Sequence, residues 1–276
     1  MTNLRDVLPK LEDLEPSEDC ILWRYTDIPS LVEILTFEYI PLVRVSLFSD
    51  ITEGAILKSA LSKLPKATNI GKDYVFDVYK NTAFASCWCG NQEELAPMWD
   101  RFSPRDGVAI KTNAKRLLDW LTPRRGYKIK YVKYINENPD DILSELTEID
   151  FEEFEKVRRD LFFYKMSDFS DEREVRILNC RALVNFSGMV SRLTGFNLHQ
   201  FKEMMDTDVI PKEIIERADI RYMNELITEI VISPAARPGI REIVQELIKS
   251  VNSLRRLEGK SPLGIRVEES RRKTWF

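Results

Sequence analysis

Short runs rich in β-branched and aromatic residues recur along this 276-residue chain, each separated from the next by a stretch with helical spacing. Such alternation calls for a sheet with helices laid against it, because each element buries one apolar face on another. Strand patterns lie at 20–25, 40–48, 81–88, 107–111, 127–135, 174–178, 226–232 and 263–267. Helical patterns lie at 27–37, 54–64, 92–102, 114–121, 140–146, 151–164 and 239–257, with an interrupted helical stretch over 182–219. Asp27 is placed to cap the first of these helices, and Pro29 suits its first turn. The pattern predicts a mixed α+β fold: a split β-sheet core with helical elaborations at 139–164 and 182–219. Residues 1–19, acidic and interrupted by Pro9 and Pro16, read as an arm, and 20–276 as one domain, a length that one core can serve.

Charge removes some functions. With 41 basic and 45 acidic residues the net charge is −4, so the chain lacks the basic excess of a sequence-independent nucleic-acid binder. Basic patches remain at Arg124–Arg125 with Lys128 and Lys130, at Arg255–Arg256, and at Arg271–Arg272–Lys273; short runs of this kind commonly decorate surfaces. The first 20 residues have no apolar core of a secretory signal, and no stretch approaches the roughly 20 apolar residues that span a bilayer. A cytoplasmic protein without a membrane segment is expected, and its four cysteines read as reduced thiols. Cys87 and Cys89 share one side of a strand, but with a single histidine in the chain no structural zinc site is expected.

Several catalytic signatures are missing: a Walker-type loop, a Gly-x-Gly-x-x-Gly fingerprint and a His-Glu-x-x-His helix. His199 sits in the helix-like Phe196–Phe201 context, reads as a packed or surface imidazole, and has no nucleophile elbow to serve. What stands out is polar residues inside apolar strands. Arg24 lies within Ile21-Leu22-Trp23-Arg24-Tyr25-Thr26, where a cation should be paired or reserved for an anion. Ser86 follows a run of small residues that lets a ligand approach the backbone. Glu172 and Glu174 precede a strand, and two residues apart on a strand they face one side. A carboxylate there suits chemistry that develops positive charge on a ribose, with an arginine for phosphates and a serine to brace the sugar or the carboxylate. The plainer alternative makes Arg24 a salt-bridge partner, Ser86 a core residue and 171–176 a charged edge.

In this order, Arg24, Ser86 and Glu172-x-Glu174 resemble the Arg–Ser–Glu class of ADP-ribosyltransferases. The resemblance implies that Arg24 and Ser86 contact NAD as substrate, that Glu174 is the catalytic carboxylate, and that Glu172 bears on acceptor choice. The chain also resembles a bacterial family known as domain of unknown function 2971. That likeness rests on Leu22–Thr26, Leu47–Asp50 with Glu53-Gly54, Ser86–Trp88, Met98-Trp99, Gly107–Ile110, Tyr131–Tyr134, Glu172–Arg176 and Glu229–Ile232. Two departures are plain. Ala85-Ser86-Cys87-Trp88 stands where the transferases often have Ser-Thr-Ser, and Asp100-Arg101-Phe102 stands where the family often has a tyrosine after Met98-Trp99.

Trp88, Trp99 and Phe102 are candidates for an aromatic wall beside a nicotinamide or adenine ring, or for plain core. Arg101 and Arg105 are candidates for phosphate contacts, or are solvated helix-end charges. The implied activity is transfer of ADP-ribose to a macromolecule, protein or nucleic acid, by a toxin or phage-defence effector with an antitoxin or chaperone as partner. Hydrolysis of NAD by water is the neighbouring reading. A non-catalytic nucleotide or nucleic-acid module, and a metal-dependent nuclease using Asp50, Glu53, Glu172 and Glu174, are the others.

Overall fold

The computed structural model describes residues 4–8, 14–64, 71–103, 105–120, 126–181, 210–220 and 223–272. Helix α1 (Leu4–Val7) precedes β1 (Ile21–Thr26), α2 (Ile28–Phe37) and β2 (Tyr39–Arg44). There follow α3 (Ala55–Ser62), α4 (Lys72–Thr82), β3 (Ala83–Gly90), α5 (Ala96–Phe102), β4 (Val108–Asn113) and α6 (Ala114–Trp120). The middle of the chain forms β5 (Lys128–Tyr131), β6 (Lys133–Ile135), α7 (Pro139–Ile142), α8 (Phe151–Val157), β7 (Tyr164–Met166) and β8 (Glu174–Cys180). The last elements are β9 (Ile215–Asp219), α9 (Met223–Leu226), β10 (Glu229–Ile232), α10 (Ile240–Leu257) and β11 (Arg266–Glu269). The result is a mixed α+β architecture. No described helix is long and apolar enough to cross a membrane.

Local chemistry explains most boundaries. Asp27 accepts a hydrogen bond from the Ser30 amide at 2.8 Å, with Pro29 in the first turn, so α2 starts where its cap stands. Along α10 the buried residues Ile240, Val244, Ile248 and Val251 form a stripe at helical spacing. Helix α4 was not expected from the sequence, yet Val75, Val78, Tyr79 and Thr82 make such a stripe.

Other expectations need correction. The strand over 40–48 ends at Arg44, and a 3-10 turn, Val45–Leu47, follows. The strand over 127–135 breaks at Val132, whose amide bonds the Glu174 carbonyl at 2.8 Å. The helix over 151–164 stops at Val157, because Leu161, Phe162 and Phe163 are buried in a 3-10 turn that feeds β7. In the stretch expected to be helical, 182–219, the alternating burial of 215–219 instead makes strand β9. Residues 182–209, His199 among them, lie outside the described residues, as do Arg124, Arg125 and Lys273.

Nine strands form one sheet in the order β11–β10–β4–β1–β3–β2–β9, with β8 also paired to β3 and β5 paired to β8. All neighbours are antiparallel except β10 and β11. On one face Leu22, Phe84, Trp88, Ile110 and Ile177 pack under α2 and α10. On the other, Trp23, Tyr25, Cys89 and Ala109 pack against Met98 and Trp99 of α5, while Ala83, Ala85 and Leu178 join a core with α3, α4 and α8. Leu4 and Leu8 of the N-terminal arm are part of that core.

Strand β3 positions the site. One of its edges pairs with β8 from Ala83 to Cys89. Its other edge is shared: β2 pairs with Phe84 and Ala85, and β1 pairs with Cys89 and Gly90. Between them, residues 86–88 have no ladder partner on that edge among the described strands. The sheet divides there.

Candidate functional site

The divide opens into a cavity of about 200 Å³. Trp23, Arg24 and Tyr25 line it from β1, Ala85, Cys87, Trp88 and Cys89 from β3, and Met98 and Phe102 from α5. Val43 and Phe48 close one side, and Glu172 and Glu174 supply the acids. In an unbroken sheet Arg24, whose register partner is Ile110, would point to the face opposite Cys87, whose partner is Arg176. The gap is what lets Arg24 and Glu174 border one space.

Arg24 is partly buried, and its Nη1 donates to Ser86 Oγ. Ser86, 1% exposed, also accepts from Trp88 Nε1 at 3.2 Å, and the Trp88 ring lies 5.9 Å from the guanidinium. Among the described residues no carboxylate neutralises Arg24, and its Nε is buried without a hydrogen-bond partner. Burial pulls its pKa down, with Cys87 acting weakly the other way, but a guanidinium keeps its proton. The salt-bridge reading of Arg24 therefore finds no partner. A cation in this state is suited to an anionic ligand.

The two glutamates are held differently from the alternation expected of them. Glu172 is the last residue of a 3-10 turn, Ser167–Glu172, and Arg173 is left-handed at φ 45°, so only Glu174 belongs to β8. They converge nonetheless, because Lys165 Nζ lies 2.7 Å from Glu172 and 3.5 Å from Glu174. Glu174 is further bound by Arg176, with Nε at 2.6 Å and Nη2 at 3.1 Å. Arg176 is fully buried and also pairs with Glu53 at 2.6 and 3.1 Å and with the Phe162 carbonyl at 2.5 Å. Burial alone would raise the Glu174 pKa, but Arg176, then Lys165 and the Cys87 thiol, overcome it and bring it to about 2. Glu174 is thus an anion across the physiological range. At the rim, Arg101 donates to Glu172 at 2.8 Å and reaches Asp171 at 3.4 Å.

Arg24, Trp88, Glu172 and Glu174 border the cavity; Ser86 does not line it but braces Arg24 from behind. Trp99 is not on the wall. It packs edge-on to Tyr25 at 4.9 Å and donates to Glu94 at 3.1 Å, because its side of α5 faces the sheet. The carboxylates proposed as cation ligands are otherwise engaged: Glu53 and Glu174 bracket Arg176, and no group of three or more potential ligands forms among the described residues. Sequence reasoning missed Lys165, Arg176 and Tyr134 as organisers, and Cys87 as a wall residue. Cys87, the one thiol of the four with exposed surface, faces the cavity, where desolvation by the surrounding protein first, then Glu174, raises its pKa well above the ordinary thiol range. The arrangement can bind an anion at Arg24, stack an aromatic ring, and place a fixed negative charge opposite.

Residues 98–177 match a family model described as "Protein of unknown function (DUF2971)". The match runs from α5 to Ile177 and takes in Glu172, Glu174, Lys165 and Arg176, while Arg24 and Ser86 lie outside it. No curated protein and no solved structure matches the chain.

Proposed function

We propose that this chain is an ADP-ribosyltransferase with an ADP-ribosyltransferase-like split sheet, taking NAD as substrate and a protein or nucleic acid as acceptor. The observation that carries the reading is an arginine with no counter-ion among the described residues and an ionised glutamate bordering one apolar, aromatic-walled cavity. Its volume is below the roughly 300–1,000 Å³ of pockets that enclose whole drug-sized ligands, so only the nicotinamide–ribose end goes inside. Arg24 holds the phosphates, and Ser86 fixes Arg24. Cleavage of the bond between ribose and nicotinamide sends the electron pair out with nicotinamide and leaves positive charge on the sugar. The Glu174 carboxylate stabilises that charge without needing to lose a proton first. Glu172, at the rim, meets the acceptor; if water takes the acceptor's place the outcome is hydrolysis.

The test is nicotinamide release by wild type, Glu174→Gln and Glu172→Gln, with and without cell lysate as acceptor source. Glu174→Gln leaves Arg176 paired with Glu53, so the protein should fold. Turnover should fall by roughly a hundredfold or more, with NAD binding little changed, because the lost interaction strengthens only in the transition state. Glu172→Gln should spare hydrolysis and impair transfer. Arg24→Ala should remove most of the thermal shift that NAD gives the wild type. Equal turnover in folded wild type and Glu174→Gln would overturn the assignment.

A further inference from the structure

Two side chains from a separate piece of structure meet the Glu-x-Glu segment. Strands β6 and β7 form their own two-stranded parallel ladder, in which Tyr134 and Lys165 are register partners. The Tyr134 hydroxyl accepts the Glu174 amide hydrogen at 2.9 Å, and the Val132 amide just before β6 donates to the Glu174 carbonyl. Lys165 reaches both carboxylates, is itself buried, and has the Phe169 ring 4.5 Å from its ammonium. It does not line the cavity.

We propose that Lys165 is a positioning residue, the shared cation of a small two-stranded clamp that holds the Glu172 and Glu174 side chains side by side and aimed at the cavity. The proposal rests on the transferase reading for its consequence in turnover, but its structural content stands apart from NAD. Without a cation between them, two neighbouring buried carboxylates repel, and one takes up a proton or turns away. Glu174 has a second cation in Arg176, whereas the second cation of Glu172 among the described residues is Arg101, which is 39% exposed and screened by water. Lys165 therefore matters more to Glu172 than to Glu174. The other ionisable groups facing this pair are Cys87 and Cys89 of β3, Tyr134 of β6, Asp171 beside Arg101, and Glu53 across Arg176. Burial opposes the charge on Lys165, and the glutamates more than offset it, holding its pKa above the ordinary lysine value.

The experiment compares wild type, Lys165→Met and Lys165→Arg. Carboxyl carbon NMR titration reads Glu172 and Glu174 directly, and the pH profile of nicotinamide release reads their effect. In Lys165→Met the Glu172 titration should move up by about one unit or more, and further than that of Glu174. With acceptor present, the acid limb of kcat for transfer should move in the same direction with KM little changed, and Lys165→Arg should restore both. A folded Lys165→Met with a lower melting temperature but unmoved titrations would overturn the proposal, since that is what a packing role alone produces. Moved titrations in a protein with no NAD turnover would support the clamp and count against the transferase reading. If Lys165→Met does not fold, Glu172→Gln reads the contact from the other side: the Lys165 side-chain titration should drop toward the ordinary lysine range. An unchanged lysine titration there overturns it.

Discussion

Replacing Arg176 by methionine should cost more stability than any change at the cavity wall, and the cost should depend on pH in a direction opposite to the wild type's own acid response. The guanidinium is fully buried between Glu53 and Glu174, with four contacts of 2.6–3.1 Å. In the wild type Glu174 titrates at about 2 against an ordinary 4.5. A depression of that size contributes about 3 kcal/mol of stability, at roughly 1.4 kcal/mol per unit. That contribution is complete above pH 4.5 and is lost as pH falls toward 2. Removing one partner of a buried ion pair costs about 3–5 kcal/mol, so Arg176→Met should lose that much at pH 7. The methionine leaves two carboxylates facing each other in the interior, which raises rather than lowers a folded-state pKa. A raised carboxylate stabilises the fold as pH falls, so the deficit should shrink between pH 7 and pH 5, by about 1.4 kcal/mol per unit while one carboxylate takes up its proton. Urea unfolding of both proteins at pH 7 and pH 5 measures this. An equal deficit at the two pH values would mean that charge pairing is not what Arg176 provides.

Two further outcomes follow from packing. A small uncharged thiol reagent should modify Cys87 alone in the native protein, because Cys20, Cys89 and Cys180 are buried; the reaction should be slow at neutral pH and faster as pH rises, since the thiol is held protonated. Peptide mass mapping checks the site, and labelling of Cys89 in preference would contradict the wall as described. Gly90→Ala would set a methyl group 2.8 Å from Tyr131 Cε1 and 2.9 Å from Val175 Cγ2, and should cost about 1–3 kcal/mol in urea unfolding. Gly264→Ala, with nothing within 4 Å, should stay within about 0.5 kcal/mol of wild type, and similar losses in both would refute the steric account.

How far these features were legible differs by kind. Strands and helices announced themselves through period and caps, as Asp27 and the α10 stripe show. Arg24 and Ser86 stood out because a polar residue inside an apolar strand needs a reason, and Glu174 because a Glu-x-Glu pair leads into a strand. Lys165 was not, because β7 is three residues long, too short for alternation to register, and its partners depend on a turn with a left-handed Arg173. Trp99 could not be told from Trp88, because whether an aromatic ring faces a cavity or a core depends on which side of α5 meets the sheet. The division along β3 was also hidden, since which strands share an edge is set by long-range pairing and leaves no local pattern.

That division also explains the charge of the site. Four carboxylates, Glu53, Asp171, Glu172 and Glu174, are grouped on one side of the gap, and three cations, Arg176, Lys165 and Arg101, are paired among them. Without Arg24 this side keeps one acid in excess. On the other side the polar and ring partners of Arg24 among the described residues are a serine hydroxyl and an indole ring, which orient a guanidinium but do not neutralise it. A continuous sheet would place this arginine in the apolar layer under α2 and α10, where an uncompensated charge is not tolerated. At the gap it is partly exposed, and an entering anion would neutralise its charge. The fold thus separates the Arg24 charge, unpaired among the described residues, from the fixed Glu174 charge across a space of about 200 Å³, a polarity suited to the proposed ligand, which carries phosphate at one end and develops positive charge at the other.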